Sequence, residues 1–307
     1  MPIGDGDSSS NQARHDYVQR GVRVGFLTDP TLCIGCKACE VACKEWNGVP
    51  DDGYRFTGNS YDNTGQLSGS TWRHVKFLEL DQSLGPQIAG PMGSQGDEGS
   101  SGFGWLFSSD VCKHCEVAGC LEACPTGAIV RNEVGAVYVQ DDVCNGCGYC
   151  VVGCPFGVID RRPQGLPGAG GAYKCTFCYD RQIDGLTPAC AKACPTESIA
   201  FGPLSELEKR AKARVDTLRG RGFDRVRVYD ARNTSVRGAH ALLITLGNPE
   251  RLGLPRRPEV PTTYQPSAWT AAVFTAALAI AGAFAAFFAA PGSDEPPTSA
   301  RAAEALR

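Results

Sequence analysis

The sequence predicts an α+β chain: two small units of short hairpins and short helices, plus one C-terminal transmembrane helix. Three observations predict it. All 16 cysteines of the 307-residue chain fall into four groups of four. A cysteine–proline–isoleucine pattern recurs as CPTGAI from Cys124, CPFGVI from Cys154 and CPTESI from Cys194, the mark of an internal repeat. A stretch of 23 residues from Ala268 to Ala290 carries no charge. Net charge is close to balance at −3, so nothing points to a nucleic-acid footprint.

The cysteine groups say what the two units are built around. Cys144 to Pro155 reads CNGCGYCVVGCP, the C-x2-C-x2-C-x3-C-P run of bacterial ferredoxins. Three closely spaced thiolates wrap three iron corners of one 4Fe–4S cube, and the fourth points away to a second cube. Proline suits the next position, because its fixed φ opens a helix and it has no N–H to leave unpaired. The other groups are Cys33, Cys36, Cys39 and Cys43; Cys112, Cys115, Cys120 and Cys124; and Cys175, Cys178, Cys190 and Cys194. Two other uses of cysteine compete. A disulfide framework favours small chains that lack a core, in an oxidising compartment. Zinc ribbons use C-x2-C pairs, but the third cysteine of CIGCKAC and CNGCGYC is one thiolate too many for a tetrahedral site. The fourth group alone passes for a ribbon. Taken together, the groups point to four 4Fe–4S clusters in two ferredoxin-like dicluster units.

In such a unit the fourth cysteine of one group caps the cube of its mate. The second and third groups are adjacent and so are mates; the first and fourth pair across the chain. The expected ligand sets are Cys33, Cys36, Cys39 and Cys194 for cluster 1, and Cys112, Cys115, Cys120 and Cys154 for cluster 2. Cluster 3 takes Cys144, Cys147, Cys150 and Cys124, and cluster 4 takes Cys175, Cys178, Cys190 and Cys43.

Along the chain, residues 1–22 are a polar extension without the apolar h-region or paired arginines of an export signal. The four-cluster core is expected over 23–247. A strand within residues 24–32 enters the first cluster loop, and a helix from Lys37 to Trp46 ends at Asn47-Gly48. Residues 50–110 are an insertion, with a Gly-, Ser- and Pro-rich loop from Asp81 to Gly104. Within it Trp72 to Leu80 alternates, with Val75 and Phe77 on the face opposite His74 and Lys76. Phe103 to Phe107 is a candidate partner strand. Ala128 to Asn132 and Ala136 to Gln140 flank Glu133-Val134-Gly135 as a hairpin. Pro203 to Gly220 is an amphipathic helix with Leu204, Leu207, Ala211, Val215 and Leu218 on one face and Ser205 as N-cap. Arg225 to Tyr229 and Ala241 to Leu246 are strands. Residues 248–267, with five prolines, read as a semi-rigid linker.

Residues 268–290 are long enough to cross a bilayer, with Trp269 at one interface and Ala277, Ala281 and Ala285 as a small-residue stripe. A buried alanine-rich helix of a soluble protein is the competing reading. Residues 291–307 form a polar tail. Arg251, Arg256 and Arg257 before the span give a charge cue for a cytoplasmic core, a weak one for so large a domain.

Nothing in the chain reads as catalytic: His15, His74, His114 and His240 fall in no nucleophile or metal pattern, and Gly165 to Gly171 lacks a dinucleotide fingerprint. Lys37, Lys113, Lys174 and Lys192 lie in or beside the cluster loops. Such charges raise cluster potentials if they face the sulfurs; solvated or docking charge is the plainer reading.

The segments CIGCKACEVACKEWN at 33–47, SDVCKHCEVAGCLEACPTGAI at 109–129, DVCNGCGYCVVGCPFGVIDR at 142–161 and KCTFCYDRQIDGLTPACAKACPTESI at 174–199, with NPERLGLP at 248–255, resemble a known family. They are similar to the four-cluster electron-transfer subunits of molybdopterin oxidoreductases, within it to the iron–sulfur (beta) subunit of membrane-bound formate dehydrogenase. The resemblance covers roughly residues 25–290 and implies a non-catalytic subunit. It would pass electrons from a molybdopterin-containing catalytic subunit that oxidises formate, through four 4Fe–4S clusters, to a membrane cytochrome b and quinone. The unit of the first and fourth groups would face the catalytic subunit. Some nitrate reductase relatives have tryptophan at the position of Cys147; its presence here implies four full cubes. The family also implies export with a partner that carries the signal, against the charge cue. The alternatives are the same role beside a dimethyl sulfoxide, polysulfide or nitrate enzyme, or a stand-alone polyferredoxin.

The exchanged sets give a first prediction. Cys154→Ala is expected to remove the cube of the second group and spare that of the third; low-temperature EPR of the reduced protein reads which signal is lost.

Overall fold

The computed structural model describes residues 15–53, 57–58, 61–80 and 104–289. Of the loop expected from Asp81 to Gly104, residues 81–103 lie outside them, with most of the N-terminal extension and the tail, while Gly104 opens a strand. The order is β1 (Val24–Thr28), α1 (Ala38–Trp46), β2 (Arg73–Leu80), β3 (Gly104–Val111), α2 (Gly119–Glu122), β4 (Ile129–Arg131), β5 (Val137–Val139), α3 (Tyr149–Val152), β6 (Asp160–Arg161), β7 (Ala172–Tyr173), α4 (Tyr179–Ile183), α5 (Ala189–Lys192), β8 (Ile199–Pro203), α6 (Leu204–Gly220), β9 (Val226–Tyr229), β10 (Ala241–Leu246) and α7 (Gln265–Ala289).

One four-stranded sheet, ordered β8-β1-β10-β9, carries the rest of the first unit, which runs to Thr262. β1 is parallel to β10 and antiparallel to β8. Its five residues VGFLT are all buried, because both faces are covered. Leu27 joins Leu207, Ala211, Val215 and Leu218 of α6 on one side. Val24 and Phe26, of opposite parity, join Cys39, Cys43, Cys175 and Cys190 on the other. Burying each such apolar side chain contributes about 1.5–3 kcal/mol, so the helix clamps the sheet that backs the cysteine loops.

The insertion forms the antiparallel ribbon β2–β3, in register from Arg73↔Val111 to Leu80↔Gly104. The second strand is longer than expected, and its last residues run directly into Cys112. The small hairpins β4–β5 and β6–β7 flank the third cysteine group.

Three expectations are corrected. Ser205 does not cap α6: Pro203 is the capping residue, with no side-chain cap bond. The Leu204 N–H instead donates to Arg23 O at 2.9 Å, so the sheet edge satisfies it. The cysteine-following prolines open turns, not helices: Gly127, Gly157 and Glu197 N–H groups donate back to the carbonyls of Cys124, Cys154 and Cys194 at 3.3–3.5 Å. All three have φ of 52–69°, which suits glycine in the first two repeats. The proline-rich stretch after Asn248 is not a free linker as far as Thr262. Its 3-10 turn Pro249–Leu252 and the buried Leu252, Leu254 and Val260 pack on the core.

The second unit begins at Thr263. Its helix α7 has 25 residues, none charged and none buried, and is about 38 Å long at the standard rise. That exceeds the roughly 30 Å hydrocarbon core and fits membrane anchoring.

His240 ties the sheet to the second cysteine loop. Its N–H donates to Lys113 O at 2.8 Å, and its carbonyl accepts from Phe26 N–H at 2.7 Å. The ring Nδ1 donates to Val24 O at 2.7 Å and Nε2 accepts from Arg23 at 2.7 Å, the neutral tautomer. Burial is the main cause of its lowered pKa. Protonation therefore favours the unfolded chain. The stabilisation is complete above the unfolded value of about 6.5 and is lost as pH falls from there toward the folded value. His240→Gln is expected to flatten that acid limb; thermal unfolding from about pH 8 to about pH 5, compared with the unsubstituted protein, checks it.

Candidate iron–sulfur cluster sites

The cysteine loops share one backbone device. The residue before the second cysteine is left-handed in every group: Gly35, His114, Gly146 and Phe177, with φ of 44–71°. That conformation turns the peptide N–H back on the first sulfur. His114 N–H meets Cys112 Sγ at 3.5 Å, and Phe177 N–H meets Cys175 Sγ at 3.3 Å. His114 serves here through its backbone. Its Nδ1 accepts from Val137 N–H at 3.0 Å, and the buried ring lies 4.3 Å from that of Phe177. His15, His74 and His240 sit apart from the cysteines; His74 Nε2 pairs with Asp62 at 2.7 Å.

The loops bring cysteines of different groups together. Cys112, Cys115 and Cys120 line one cavity with Cys154. Cys144, Cys147 and Cys150 line another with Cys124. The fourth cysteine has changed places in both. The Cys33 thiol has Cys194 and Cys36 as neighbours, and that of Cys43 has Cys190, Cys175 and Cys178. Cys39, on the same loop as Cys33 and Cys36, lies 3.4 Å from Ser109 Oγ.

These spaces test what they hold. Among the described residues no three Cys, His, Asp or Glu side chains converge as ligands of a single metal ion. The thiols instead line cavities in sets of four at two of the sites, the arrangement that four corners of a cube require. Burial drives the thiol pKa values up, to about 11 at Cys39 and Cys150 and about 12 at Cys120 and Cys178. An iron centre reverses that preference, because a coordinated thiol is deprotonated.

The sets abut in a row. Cys39 neighbours Cys190, Cys175 neighbours Cys112, and Cys120 neighbours Cys150. The order is the Cys33 set, the Cys175 set, the Cys112 set and the Cys144 set. Cys36 and Cys147, at the two ends, are the exposed cysteines. Two residues away in the chain lie exposed apolar side chains, Ile34 at 57% by the first and Tyr149 at 63% by the last.

The lysines separate. Lys37 is paired with Glu40 and Asp62, and Lys113 with Asp110, while Lys192 is exposed. Lys174 alone of the four donates to a cysteine sulfur, Cys112 Sγ at 3.4 Å. Sequence reasoning missed Arg73, whose guanidinium donates to Cys190 Sγ at 3.2 Å. Its signal was parity: Arg73 shares a strand face with Val75 and Phe77. Asn47 was read as a helix stop, but its Nδ2 also approaches Cys43 and Cys178 sulfurs at 3.8 and 3.9 Å.

Two family models, each described as a 4Fe-4S dicluster domain, match residues 32–128 and 103–204. The chain is 38% identical over 268 residues to the iron–sulfur subunit of the nitrate-inducible formate dehydrogenase of Escherichia coli, covering 86% of this chain and 82% of that one. It belongs to the family of formate dehydrogenase iron–sulfur subunits. The Haemophilus influenzae formate dehydrogenase iron–sulfur subunit is 37% identical over 243 residues, 78% of this chain and 70% of its own. The B subunit of the anaerobic dimethyl sulfoxide reductase of Escherichia coli is 33% identical over 187 residues, 61% of this chain and 76% of its own. As a formate dehydrogenase-type iron–sulfur subunit, the chain carries four 4Fe–4S clusters in its two dicluster domains and serves electron transfer.

The middle of the row depends on a close backbone approach. A Cβ at Gly119 would overlap the carbonyl oxygen of Gly153, forcing α2 away from α3 beside Cys120 and Cys150. Gly119→Ala is expected to lower the yield of the clusters lined by these two cysteines. Gly220→Ala, which meets no atom within 4 Å, is expected to leave loading intact. Iron content and EPR spin counts compare the two.

Proposed function

We propose that this chain passes electrons from a molybdopterin subunit that oxidises formate, through four cysteine-held 4Fe–4S clusters, to a membrane cytochrome b and quinone. The ligand sets are those expected from exchange of the fourth cysteine. The observation that carries the proposal is the lining of two cavities, which supports that exchange: Cys154 lines the cavity of the second group, and Cys124 that of the third. Oxidation of formate to carbon dioxide and a proton releases two electrons, and each 4Fe–4S cube, when bound, supplies a one-electron couple.

The chain's own residues do the rest. The sheet and α6 fix the loops; buried apolar side chains such as Phe26 and Phe177 keep water from the inner sets. Backbone N–H groups and the Lys174 and Arg73 cations face the sulfurs. The exposed apolar side chains near Cys36 and Cys147 support docking at both ends, with the Cys36 end toward the catalytic subunit and the Cys147 end toward the cytochrome. The chain is not itself catalytic in this reading. Helix α7, which overlaps the expected span of 268–290, anchors it, with the cluster domain on the extracytoplasmic face.

Isolated native membranes with and without this gene test the proposal. Loss of formate-driven quinone reduction, together with loss of four reducible cube signals in low-temperature EPR, is the expected result. Unchanged formate flow would move the chain to another molybdopterin enzyme, such as one acting on dimethyl sulfoxide. Cube signals that persist in membranes lacking the gene would overturn the carrier role as well.

A further inference from the structure

Two cations sit where one set of cysteines meets the next. Arg73 is 1% exposed. Its Nη2 donates to Cys190 Sγ at 3.2 Å and its Nη1 to Ser109 Oγ at 3.4 Å. Ser109 Oγ in turn lies 3.4 Å from Cys39 Sγ. The guanidinium lies 4.9 Å from the centre of the Phe26 ring, and its Nε has no partner. Arg73 therefore stands between the Cys33 set and the Cys175 set. Lys174 is 2% exposed. Its Nζ donates to Cys112 Sγ at 3.4 Å, to Cys175 O at 3.2 Å and to Val137 O. Three acceptors use all three protons of an ammonium. Lys174 thus stands between the Cys175 set and the Cys112 set.

Neither cation has a carboxylate within ion-pair distance among the described residues. That contrasts with the equally buried Lys113, which is paired with Asp110. A buried charge without a counter-charge is strongly destabilising. The thiols around them carry no net charge while protonated. The missing negative charge has to come from thiolate-bound clusters, which gain one further negative charge with each electron accepted. No described cation hydrogen-bonds a sulfur of Cys124, Cys144, Cys147 or Cys150, so the last set in the row has no such device.

We propose that Arg73 and Lys174 are positioning residues for electron transfer, each a cation shared by two neighbouring clusters and held in place by their negative charge. Each one favours the reduced form of both its neighbours. Sharing moves the two potentials together, so the step between them stays nearly level while an electron becomes easier to place on either. Arg73 acts on the clusters of the Cys33 and Cys175 sets, and Lys174 on those of the Cys175 and Cys112 sets. The Cys144 set stands outside both.

The proposal rests on the ligand sets proposed above, and its test separates the two. The intact membrane complex is titrated electrochemically and followed by EPR, with signals assigned through single cysteine-to-alanine variants. With four clusters loaded, Arg73→Gln is expected to lower the potentials of the Cys33 and Cys175 clusters. Lys174→Met is expected to lower those of the Cys112 and Cys175 clusters. Both should leave the Cys144 cluster unmoved, and Arg73→Lys should restore most of the Arg73 effect. Unmoved potentials, or an equal shift of all four, would overturn the proposal. Where Arg73→Gln fails to load, loading by Arg73→Lys supports the need for charge, and failure of both overturns it. Fewer than four cubes in the unsubstituted protein, or different sets in the cysteine variants, would instead sink the ligand reading.

Discussion

In the proposed ligand sets, the exchange of the fourth cysteine between groups is the constraint from which the topology follows. A sulfur at the end of one loop has to reach the cavity of another, so the loops are held face to face. Between the second and third groups this needs only two short helices meeting at Gly119 and Gly153. Between the first and fourth it needs a scaffold that brings residues far apart in the chain together. β1, leading into Cys33, and β8, leaving Cys194, pair directly from Val24↔Pro203 to Thr28↔Ile199. The sheet is in this sense a jig for the cysteines, and α6 is the weight that holds it down.

Much of this was legible in the sequence, because cysteine spacing is a strong signal with few chemical meanings. Four groups gave the clusters and the two dicluster units; period and polarity gave α6, β10 and α7. The failures have physical causes. Ser205 was a good cap in isolation, but tertiary hydrogen bonding from Leu204 to Arg23 made it unnecessary. Prolines in the stretch after Asn248 suggested a spacer, yet Leu252, Leu254 and Val260 found apolar surface to bury. The turns after Cys124, Cys154 and Cys194 looked like helix starts because proline favours both.

Arg73 shows the harder limit. An arginine in an alternating strand reads as solvent-facing, since burial of an unpaired guanidinium is costly. Its meaning depends on what lies opposite, and here that is Cys190, 117 residues away. Lys174 was in view because it neighbours Cys175, but the sequence could not separate it from Lys37, Lys113 and Lys192. Only the positions of Asp110, Glu40 and Asp62 show which lysines are already matched.

The parallel pairing of β1 with β10 has a consequence for how the protein is made. On a ribosome β1 emerges before the other strands of its sheet. Its neighbours on either side, Ile199–Pro203 and Ala241–Leu246, emerge only after all four cysteine groups. The buried strand VGFLT stays uncovered for most of synthesis, an exposed edge of the kind that invites mispairing. The middle groups, close in sequence, can close on themselves long before. Bringing the first and fourth groups together therefore closes a much longer loop, at a greater entropy cost, than bringing the second and third together.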